Sequence, residues 1–496
     1  MNLAIGNIDL GIIAAYTIAV VLFGLWIGRN QKDVSSYLLG NRNLPWWAIL
    51  GSIVATETST ATFLSVPGIA FAVDGDLRFL QLVIGFLCGR FLVAYILIPQ
   101  FFKGQIFSAY EILDKRFGKA TKQTASTVFL VTRNLGDGLR LFLTGIVLEK
   151  VCGCDLATSI AIIGIATIIY TFFGGMKAVV WNDCIQFVVY IGGGITAGII
   201  MVQLLPGGWS EMVTYAQTNN KLQMFDFSWD VTETFTFWAG VIGGTVLSLG
   251  THGTDQMMVQ RYLSGRGICD AQRAVIASGF VIFAQFALFL FLGIGLAAFY
   301  SQLTPAQSFE RPDEVFATFI IQQMPIGLIG ITLAAVFSAA MSTLSSSLSA
   351  SASAVVNDIY LPAKKSKPTD KQLLKVSRWT TVAFGLLQIC LGIAASYVSR
   401  SVVGDALAIA GFAAGILLGI FGLGVYTKRV TQTHALIGLL SGVVCLTTVK
   451  FATNIAWPWF AIIGAIITFT TGLLASYLIK STNSSKPNSS QPDSKL

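Results

Sequence analysis

The chain is dominated by long apolar runs, each long enough to cross a membrane. Hydrophobic residues make up 54% of its 496 residues and charged residues only 11%, whereas soluble globular proteins average about 25% charged residues. A helix needs roughly 20 residues to cross the hydrocarbon core of a bilayer. We predict thirteen such spans, at about 8–28, 45–72, 78–102, 123–151, 155–174, 179–205, 233–260, 271–300, 325–357, 376–399, 403–426, 434–454 and 457–479. The sequence therefore predicts an all-α polytopic membrane protein: one transmembrane domain over 1–480 and a disordered cytoplasmic tail over 481–496.

The distribution of basic residues predicts the orientation of these spans. Loops on one side of the predicted membrane hold 23 of the 32 Lys and Arg residues, and loops on the other side hold six. Cytoplasmic loops are enriched in Lys and Arg, so we expect the N-terminus outside and the C-terminus in the cytoplasm. Because the net charge of +8 follows this topology, it does not indicate a nucleic-acid partner. The first apolar run lacks a basic segment before it, so we expect a retained span and not a cleaved signal.

The segment 51–68, G-S-I-V-A-T-E-T-S-T-A-T-F-L-S-V-P-G, lies in the second predicted span but is rich in hydroxyl side chains and carries Glu57. A carboxylate at the bilayer centre costs roughly 2.5–3.5 kcal/mol on insertion scales, so it normally faces a protein interior or a watery cavity. The composition favours a helix interrupted midway, with carbonyl groups freed to bind a cation. The alternative is an intact helix whose hydroxyls bond back to its own carbonyls.

The seventh predicted span has a similar composition. Its segment 243–256 reads G-G-T-V-L-S-L-G-T-H-G-T-D-Q, five spans after the first such segment. An odd offset reverses the orientation in the membrane, as an inverted repeat of five helices requires. We therefore expect two broken helices that meet at a site near the middle of the membrane.

The ninth predicted span carries a continuous face of serines. They are Ser338, Ser342, Ser345, Ser346, Ser349 and Ser353, at helical spacing. Small residues in membrane helices often serve close packing, which we favour for Ser349 and Ser353. For Ser342 and Thr343 we favour sodium binding, since hydroxyls and freed carbonyls supply hard oxygen ligands. Asp183, at the inner end of the sixth span, is either a further charge for a second ion or a helix cap.

Several segments resemble the sodium:solute symporter family, which includes sodium-coupled sugar, proline, pantothenate and sialic acid carriers. They are Y-L-L-G-N-R (37–42), S-A-Y-E-I-L-D-K-R-F-G (108–118), Y-T-F-F-G-G-M-K-A-V-V-W-N-D-C-I-Q (170–186), G-T-D-Q-M-M-V-Q-R-Y-L (253–263) and F-S-A-A-M-S-T-L-S-S-S-L-S (337–349). The resemblance implies a LeuT-like core over about 45–426. This core would contain two inverted repeats of five helices, with one extra helix before it and two after it.

The resemblance also implies positions for the coupling ion, Na⁺, and no other cofactor. The sodium site corresponds to the carbonyls of Ala55, Thr58 and Ala339 and the hydroxyls of Ser342 and Thr343. A second sodium site, found in the sialic acid branch, corresponds to Asp183, Ser345 and Ser346. Either one or two sodium ions per cycle would be compatible with the family.

The predicted solute site departs from the sialic acid branch. That branch has an Arg in the fourth span where this chain has Gly136, and here Arg133, Asp137 and Arg140 lie nearby. Asp137 and Arg140 could instead simply neutralise each other. The candidate solute ligands are Glu57, Ser59, Thr62, Gln81, Asp137, Arg140 and Gln256. We expect His252 to have a structural hydrogen-bonding role in preference to a proton relay.

The sequence therefore predicts a sodium-coupled symporter of the cell (inner) membrane that imports a small polar organic solute by alternating access. A sugar, a polyol, a sialic-acid-like compound, an amino acid or a vitamin would fit. The alternatives are a transporter-like sensor that signals through a partner protein, and a passive channel. No nucleophile–base pair or catalytic metal spacing indicates an enzyme, and we expect the lipid bilayer, sodium and solute as partners with no obligate protein partner.

Overall fold

The computed structural model describes residues 6–29, 31, 33–103, 106–302, 309, 312, 314–366, 368–396 and 402–479. These residues form helices joined by loops, with no β-strand among them. The helices are α1 Asn7–Gly28, α2 Val34–Leu39, α3 Trp46–Glu57, α4 Thr60–Phe71, α5 Phe79–Phe101, α6 Glu111–Phe117, α7 Lys119–Cys152, α8 Leu156–Leu204, α9 Gly208–Thr218, α10 Gly244–Gly253, α11 Gln256–Leu263, α12 Ile268–Tyr300, α13 Glu314–Gln323, α14 Leu328–Ala354, α15 Asp370–Ala395, α16 Val402–Tyr426, α17 Gln432–Ala452 and α18 Phe460–Leu478. The predicted tail over 481–496 lies outside the described residues.

Not every predicted span is a single long apolar helix. By length and composition, nine helices in the described part of the chain can cross a membrane, or ten when the bent pair α3–α4 is counted as one. The 49-residue helix α8 covers two predicted spans. The seventh predicted span is divided between α10 and α11, which are each too short to qualify. The all-helical membrane architecture is confirmed, and the number of thirteen spans stays a prediction.

The second predicted span is interrupted, as the sequence indicated. Helix α3 ends at Glu57 and α4 begins at Thr60, and the two are bent by 58°. Between them, Thr58 (φ −81°, ψ 93°) and Ser59 (φ −90°, ψ 171°) have an extended backbone. The interruption leaves carbonyl groups of the last turn of α3 without their usual helical partners.

The seventh predicted span is interrupted near its C-terminal end. Helix α10 ends at Gly253 and α11 begins at Gln256. Asp255 has an extended backbone and caps α11 by accepting a hydrogen bond from the Met257 N–H at 2.8 Å. In both broken spans, two non-helical residues thus separate two short helices.

Helix α8 changes direction at Gly175, which has φ 56° and ψ −164°. This conformation is accessible essentially only to glycine. A Cβ atom at this position would lie 2.6 Å from the carbonyl oxygen of Tyr37. The predicted inner loop over 175–178 is therefore reduced to a turn centred on one glycine.

The segments 206–232 and 301–324, which connect predicted spans, each contain a helix that the span predictions do not include. Helix α9 lies in the segment 206–232 and α13 in the segment 301–324. The segment 108–118, between the third and fourth predicted spans, also contains a short helix, α6. Its Leu113 and Phe117 are buried and belong to the hydrophobic core.

Helix α14 is the central element of the fold. The most apolar part of this helix is 89% buried, against 17% for the corresponding part of α1. It packs along α8 and contacts α3, α4, α7 and α11. This position places the serine face of α14 against both sides of the interrupted second span.

Candidate ion and solute site

A buried polar cluster joins α14 to the interruption of the second span. The Thr343 hydroxyl lies 3.0 Å from the Thr56 carbonyl oxygen and 3.2 Å from the Ala339 carbonyl oxygen. The Ser59 N–H donates to the Glu57 carbonyl at 3.1 Å, and it therefore does not pair with Ala55, four residues earlier. Four of the five predicted sodium-site residues, Ala55, Thr58, Ala339 and Ser342, are fully buried, and Thr343 is nearly so.

The Thr58 side chain is held in place by partners that the sequence analysis missed. Its hydroxyl lies 2.9 Å from both the Val54 carbonyl oxygen and the Gln285 side-chain oxygen. The Tyr190 hydroxyl lies within hydrogen-bonding distance of the same two groups, Thr58 and Gln285. This network fixes the extended residue from three helices, α3, α8 and α12.

Asp183 lies next to the predicted sodium cluster. The Ser342 hydroxyl donates to its Oδ1 at 2.7 Å, and the Ser52 hydroxyl donates to its Oδ2 at 2.5 Å. The carboxylate is fully buried and lies eight residues beyond Gly175, inside α8. The alternative of a helix cap facing cytoplasmic water is therefore wrong, because the helix continues through this position and other helices cover it.

Arg261 is the principal residue that the sequence analysis misplaced. It was expected in an inner loop, but it belongs to α11 and is fully buried. Its guanidinium bonds to Asp183 at 3.2 Å, to the Thr56 hydroxyl at 2.5 Å and to the Ser346 hydroxyl. The signal that could have found it is its place in the segment 253–263, directly after the second interrupted helix.

The residues of the second predicted sodium set therefore already bond to other protein groups. Asp183 and Ser346 both bond to Arg261. Ser345 donates instead to the Ser342 carbonyl at 3.1 Å. A guanidinium thus supplies positive charge at two of the three residues of this set.

A cavity of about 1060 Å³, including its open mouth, lies beside the interruption of the second span. Four of the predicted solute ligands line it: Glu57, Ser59, Thr62 and Arg140. His252 and Arg133 also line it. The rest of the wall is largely apolar and comes from α3, α4, α5, α10, α11, α12 and α16.

Gln81 and Gln256 do not line this cavity. The Gln81 side chain donates to the Phe235 carbonyl at 3.0 Å and accepts from the Asp226 N–H at 3.0 Å. The Gln256 side chain accepts from the Ala109 N–H at 2.7 Å. Both amides satisfy backbone groups of adjoining segments, a role that residue type alone does not reveal.

Glu57 faces the cavity, and its carboxylate contacts two buried side chains. Arg90, which is fully buried, donates to its Oε2. The Nε2 of His252 lies 3.3 Å from its Oε1. Neither partner was assigned from the sequence, although an Arg inside an apolar span normally requires a partner.

Asp137 and Arg140 form the predicted pair, with 2.5 Å between Arg140 Nη1 and Asp137 Oδ1. Arg133 Nη1 also approaches the same oxygen at 3.8 Å, and Arg133 bonds to Asp255. Asp137 is fully buried, so it reaches the cavity only through its two arginine partners. The pairing links α7 to the N-cap of α11.

Lys221 ties the C-terminal end of α4 to the segment 206–232. Its ammonium group donates to the carbonyls of Ala70, Ala72 and Gly75 at 3.1, 2.7 and 3.1 Å. Burial lowers the pKa of Lys221 below the usual range of a lysine. The C-terminal carbonyls of a helix favour a positive charge, so this lysine fixes the end of the broken span.

An ion pair also joins the segment 206–232 to Arg78, the residue just before α5. Arg78 Nη1 lies 3.1 Å from Asp226 Oδ2. The Ser228 backbone N–H, together with the Arg78 guanidinium, holds the pKa of Asp226 below its usual range.

Interrupted helices around a cavity that contains charged side chains, within a helical membrane protein, are typical of secondary transporters. The chain belongs to the sodium:solute symporter family, whose model matches residues 37–442. It is 29% identical to a sodium/sialic acid symporter of Proteus mirabilis, over 95% of each chain. It is also 29% identical to a sodium/sialic acid symporter of Aliivibrio fischeri, over 96% of this chain and 94% of that one.

A solved structure has a closely similar fold. It is the substrate-bound outward-open state of a Na⁺-coupled sialic acid symporter, with a TM-score of 0.88 and 28% sequence identity. The match covers 96% of this chain and 98% of that chain. The predicted family and its LeuT-like architecture are confirmed. The chain is a multi-pass membrane protein of a family of transporters.

Proposed function

We propose that the chain is a sodium-coupled symporter of the cell (inner) membrane that imports a small polar organic solute by alternating access. The observation that carries the proposal is the contact between α14 and the interrupted second span. The Thr343 hydroxyl reaches the Thr56 carbonyl at 3.0 Å, and the neighbouring Ala55 carbonyl lacks its Ser59 partner. Similarity to sodium/sialic acid symporters supports the same conclusion.

In this proposal the sodium ion binds to the carbonyls of Ala55, Thr58 and Ala339 and to the hydroxyls of Ser342 and Thr343. These oxygens come from both sides of the interruption, so an ion bound to them would hold α3 and α14 together. A ligand shifts a conformational equilibrium only through its different affinity for the two states. We infer that sodium favours the state in which α14 lies against the break, and that solute then binds beside it.

The proposed second sodium set, Asp183, Ser345 and Ser346, has a specific requirement. An ion there would have to displace Arg261 from Asp183 and Ser346, or bind through Asp183 Oδ1, which now accepts from Ser342. Moving one extra charge inward would add about 2.3 kcal/mol of driving force per 100 mV. A second ion would therefore be coupled to movement of α11.

The proposed topology keeps thirteen spans in two inverted repeats of five helices, with the N-terminus outside and the C-terminus in the cytoplasm. The support is the pair of interruptions, at Thr58–Ser59 and at Thr254–Asp255, which lie five predicted spans apart. Accessibility of single cysteines to a membrane-impermeant reagent would test the orientation. Labelling from the outside at position 371 would contradict it.

The decisive experiment is transport by the full chain reconstituted into liposomes. Solutes that stabilise the purified protein would be offered with an inward sodium gradient, and with potassium in place of sodium. We expect accumulation above the equilibrium level only with the sodium gradient. Equilibration without accumulation would indicate a passive channel, and accumulation in the absence of sodium would refute sodium coupling.

A further inference from the structure

The charged residues at the cavity form two clusters, and each cluster presents one sign of charge to the solute. We propose that the solute is a small zwitterion with an apolar body, whose ammonium group binds at Glu57 and whose carboxylate binds at Arg140. This inference rests on the proposed transport function and specifies its substrate class. It narrows the range of solutes that the sequence alone allowed.

The first cluster presents negative charge. Glu57 has 19% of its side chain exposed, whereas its partner Arg90 is fully buried behind it. His252 is only 3% exposed and approaches the other Glu57 oxygen. A carboxylate offers about four lone-pair sites, so Glu57 can accept further hydrogen bonds from the cavity side. An entering solute therefore meets the carboxylate and not the guanidinium.

The second cluster presents positive charge. Arg140 has 19% of its side chain exposed, whereas Asp137 is fully buried. A guanidinium has five N–H donors in a planar fork, and Asp137 engages Arg140 through Nη1. The remaining donors of Arg140 suit a carboxylate, which arginine binds in a bidentate manner.

The charges of the two clusters balance. They contain three arginines, Arg90, Arg133 and Arg140, and three acids, Glu57, Asp137 and Asp255. A solute with one net charge would bring an uncompensated charge into a site removed from bulk water, which is costly. A zwitterion adds no net charge and pairs with both exposed groups, so the balance favours it over a simple anion or a simple amine.

The remaining wall of the cavity is mostly apolar, with the hydroxyl side chains of Thr56, Ser248 and Thr251 as its further polar groups. It includes the aromatic rings of Phe79, Phe86 and Phe286 and the side chains of Ile69, Leu247 and Leu407. Phe79 and Phe286 stack with their ring centres 5.1 Å apart. Polyol hydroxyls that face these rings and aliphatic side chains would lack hydrogen-bond partners, at a cost for each. An aliphatic or aromatic side chain would gain about 25 cal/mol for each Å² of apolar surface buried.

Thermal unfolding of the purified full chain, in sodium and in potassium, tests the proposal with matched probes. The zwitterions are L-leucine, L-phenylalanine and L-proline. N-acetyl-L-leucine lacks the ammonium group, L-leucinamide lacks the carboxylate, and sorbitol is an uncharged polyol. We expect at least one zwitterion to stabilise the protein in sodium, and at least about tenfold weaker binding of its singly charged analogue. Failure of every zwitterion, or equal stabilisation by sorbitol or an analogue, would overturn the proposal.

Charge variants give a second readout that loss of folding cannot imitate. Arg140→Gln leaves Asp137 within reach of Arg133 and should reverse the preference, so that L-leucinamide binds better than L-leucine. Glu57→Gln should favour N-acetyl-L-leucine in the same way. Arg116→Gln, at an arginine that bonds to Thr427 outside the cavity, is the control and should keep the original preference. An unchanged order of ligands in a folded Arg140→Gln protein would overturn the assignment.

The sodium comparison separates this proposal from the transport proposal. A zwitterion that binds equally well in sodium and potassium would support the substrate class and refute sodium coupling. Stabilisation by sodium alone, with no response to any zwitterion, would leave sodium binding in place and overturn the substrate class.

Discussion

Arg261 bonds to Asp183 with 3.2 Å between Nη2 and Oδ2, and both side chains are fully buried. The pair joins α11, which follows the second interruption, to α8. Desolvation of two such charges is costly, and removing one partner from a buried pair typically costs about 3–5 kcal/mol because the other charge is left uncompensated. The pair therefore links the state of the second broken span to the proposed sodium site next to Asp183.

We expect Arg261→Met and Asp183→Asn each to lower the free energy of unfolding by about 3–5 kcal/mol. The double variant should lose less than the sum of the two single losses, since it removes both charges together. Thermal or denaturant unfolding of the purified protein measures the four members of this cycle. Strictly additive losses would show that the two side chains do not interact in solution.

We expect Thr343 to determine how uptake responds to sodium, because its hydroxyl reaches the Thr56 carbonyl at 3.0 Å. Thr343→Ala removes one proposed oxygen ligand and one contact across the break. We expect the sodium concentration for half-maximal uptake to rise at least about tenfold, the equivalent of about 1.4 kcal/mol. The same effect is expected for Ser342→Ala.

The matched control for this measurement is Ser338→Ala, on the same helix. Ser338 bonds to Tyr16 and to the Ala334 carbonyl, away from the break. Its sodium dependence should match that of the wild-type chain at equal expression. If Thr343→Ala and Ser342→Ala also keep the wild-type sodium dependence, these residues do not bind the coupling ion.

The direction change in α8 should depend on the absence of a side chain at Gly175. Its φ is 56°, and an added Cβ atom would lie only 2.6 Å from the Tyr37 carbonyl oxygen, which leaves no room for alanine. We expect Gly175→Ala to lower stability by about 1–3 kcal/mol, seen as a lower melting temperature. Gly192→Ala in the same helix meets no atom within 4 Å and should be neutral or slightly stabilising. Equal melting temperatures for the two variants would contradict this account.

The sequence was sufficient to predict features that depend on local composition. The hydroxyl-rich segment over 51–68 predicted an interruption midway in the helix, and the structure places it at Thr58 and Ser59. The Asp137–Arg140 pair was also predictable, since the two charges lie three positions apart on one helix. The family resemblance added the contact of Thr343 with the end of α3.

Long-range pairing was less predictable. Arg90 and His252 lie 33 and 195 positions from Glu57, and no local pattern specifies which buried charge finds which partner. Arg261 was assigned to a loop because an arginine lowers the local hydropathy and was taken to mark the end of a span. Its partners in α3, α8 and α14 nevertheless allow it to be buried. Gln81 and Gln256 were predicted as solute ligands but do not line the cavity, for a related reason: nearby backbone groups bind their amides.

We expect the stability of the C-terminal end of α4 to depend on Lys221. This side chain is 2% exposed, and its ammonium group bonds to three carbonyls at and just beyond the end of α4. Hydrogen bonds to a charged group contribute about 1.5–3 kcal/mol, so Lys221→Met should lower the melting temperature and speed hydrogen exchange over 70–76. Lys371→Met changes an exposed lysine at the start of α15 and should leave both quantities unchanged. If Lys221→Met leaves them unchanged too, the ammonium group does not stabilise this end of the helix, and α4 must be held by its packing against α7, α12, α13 and α14.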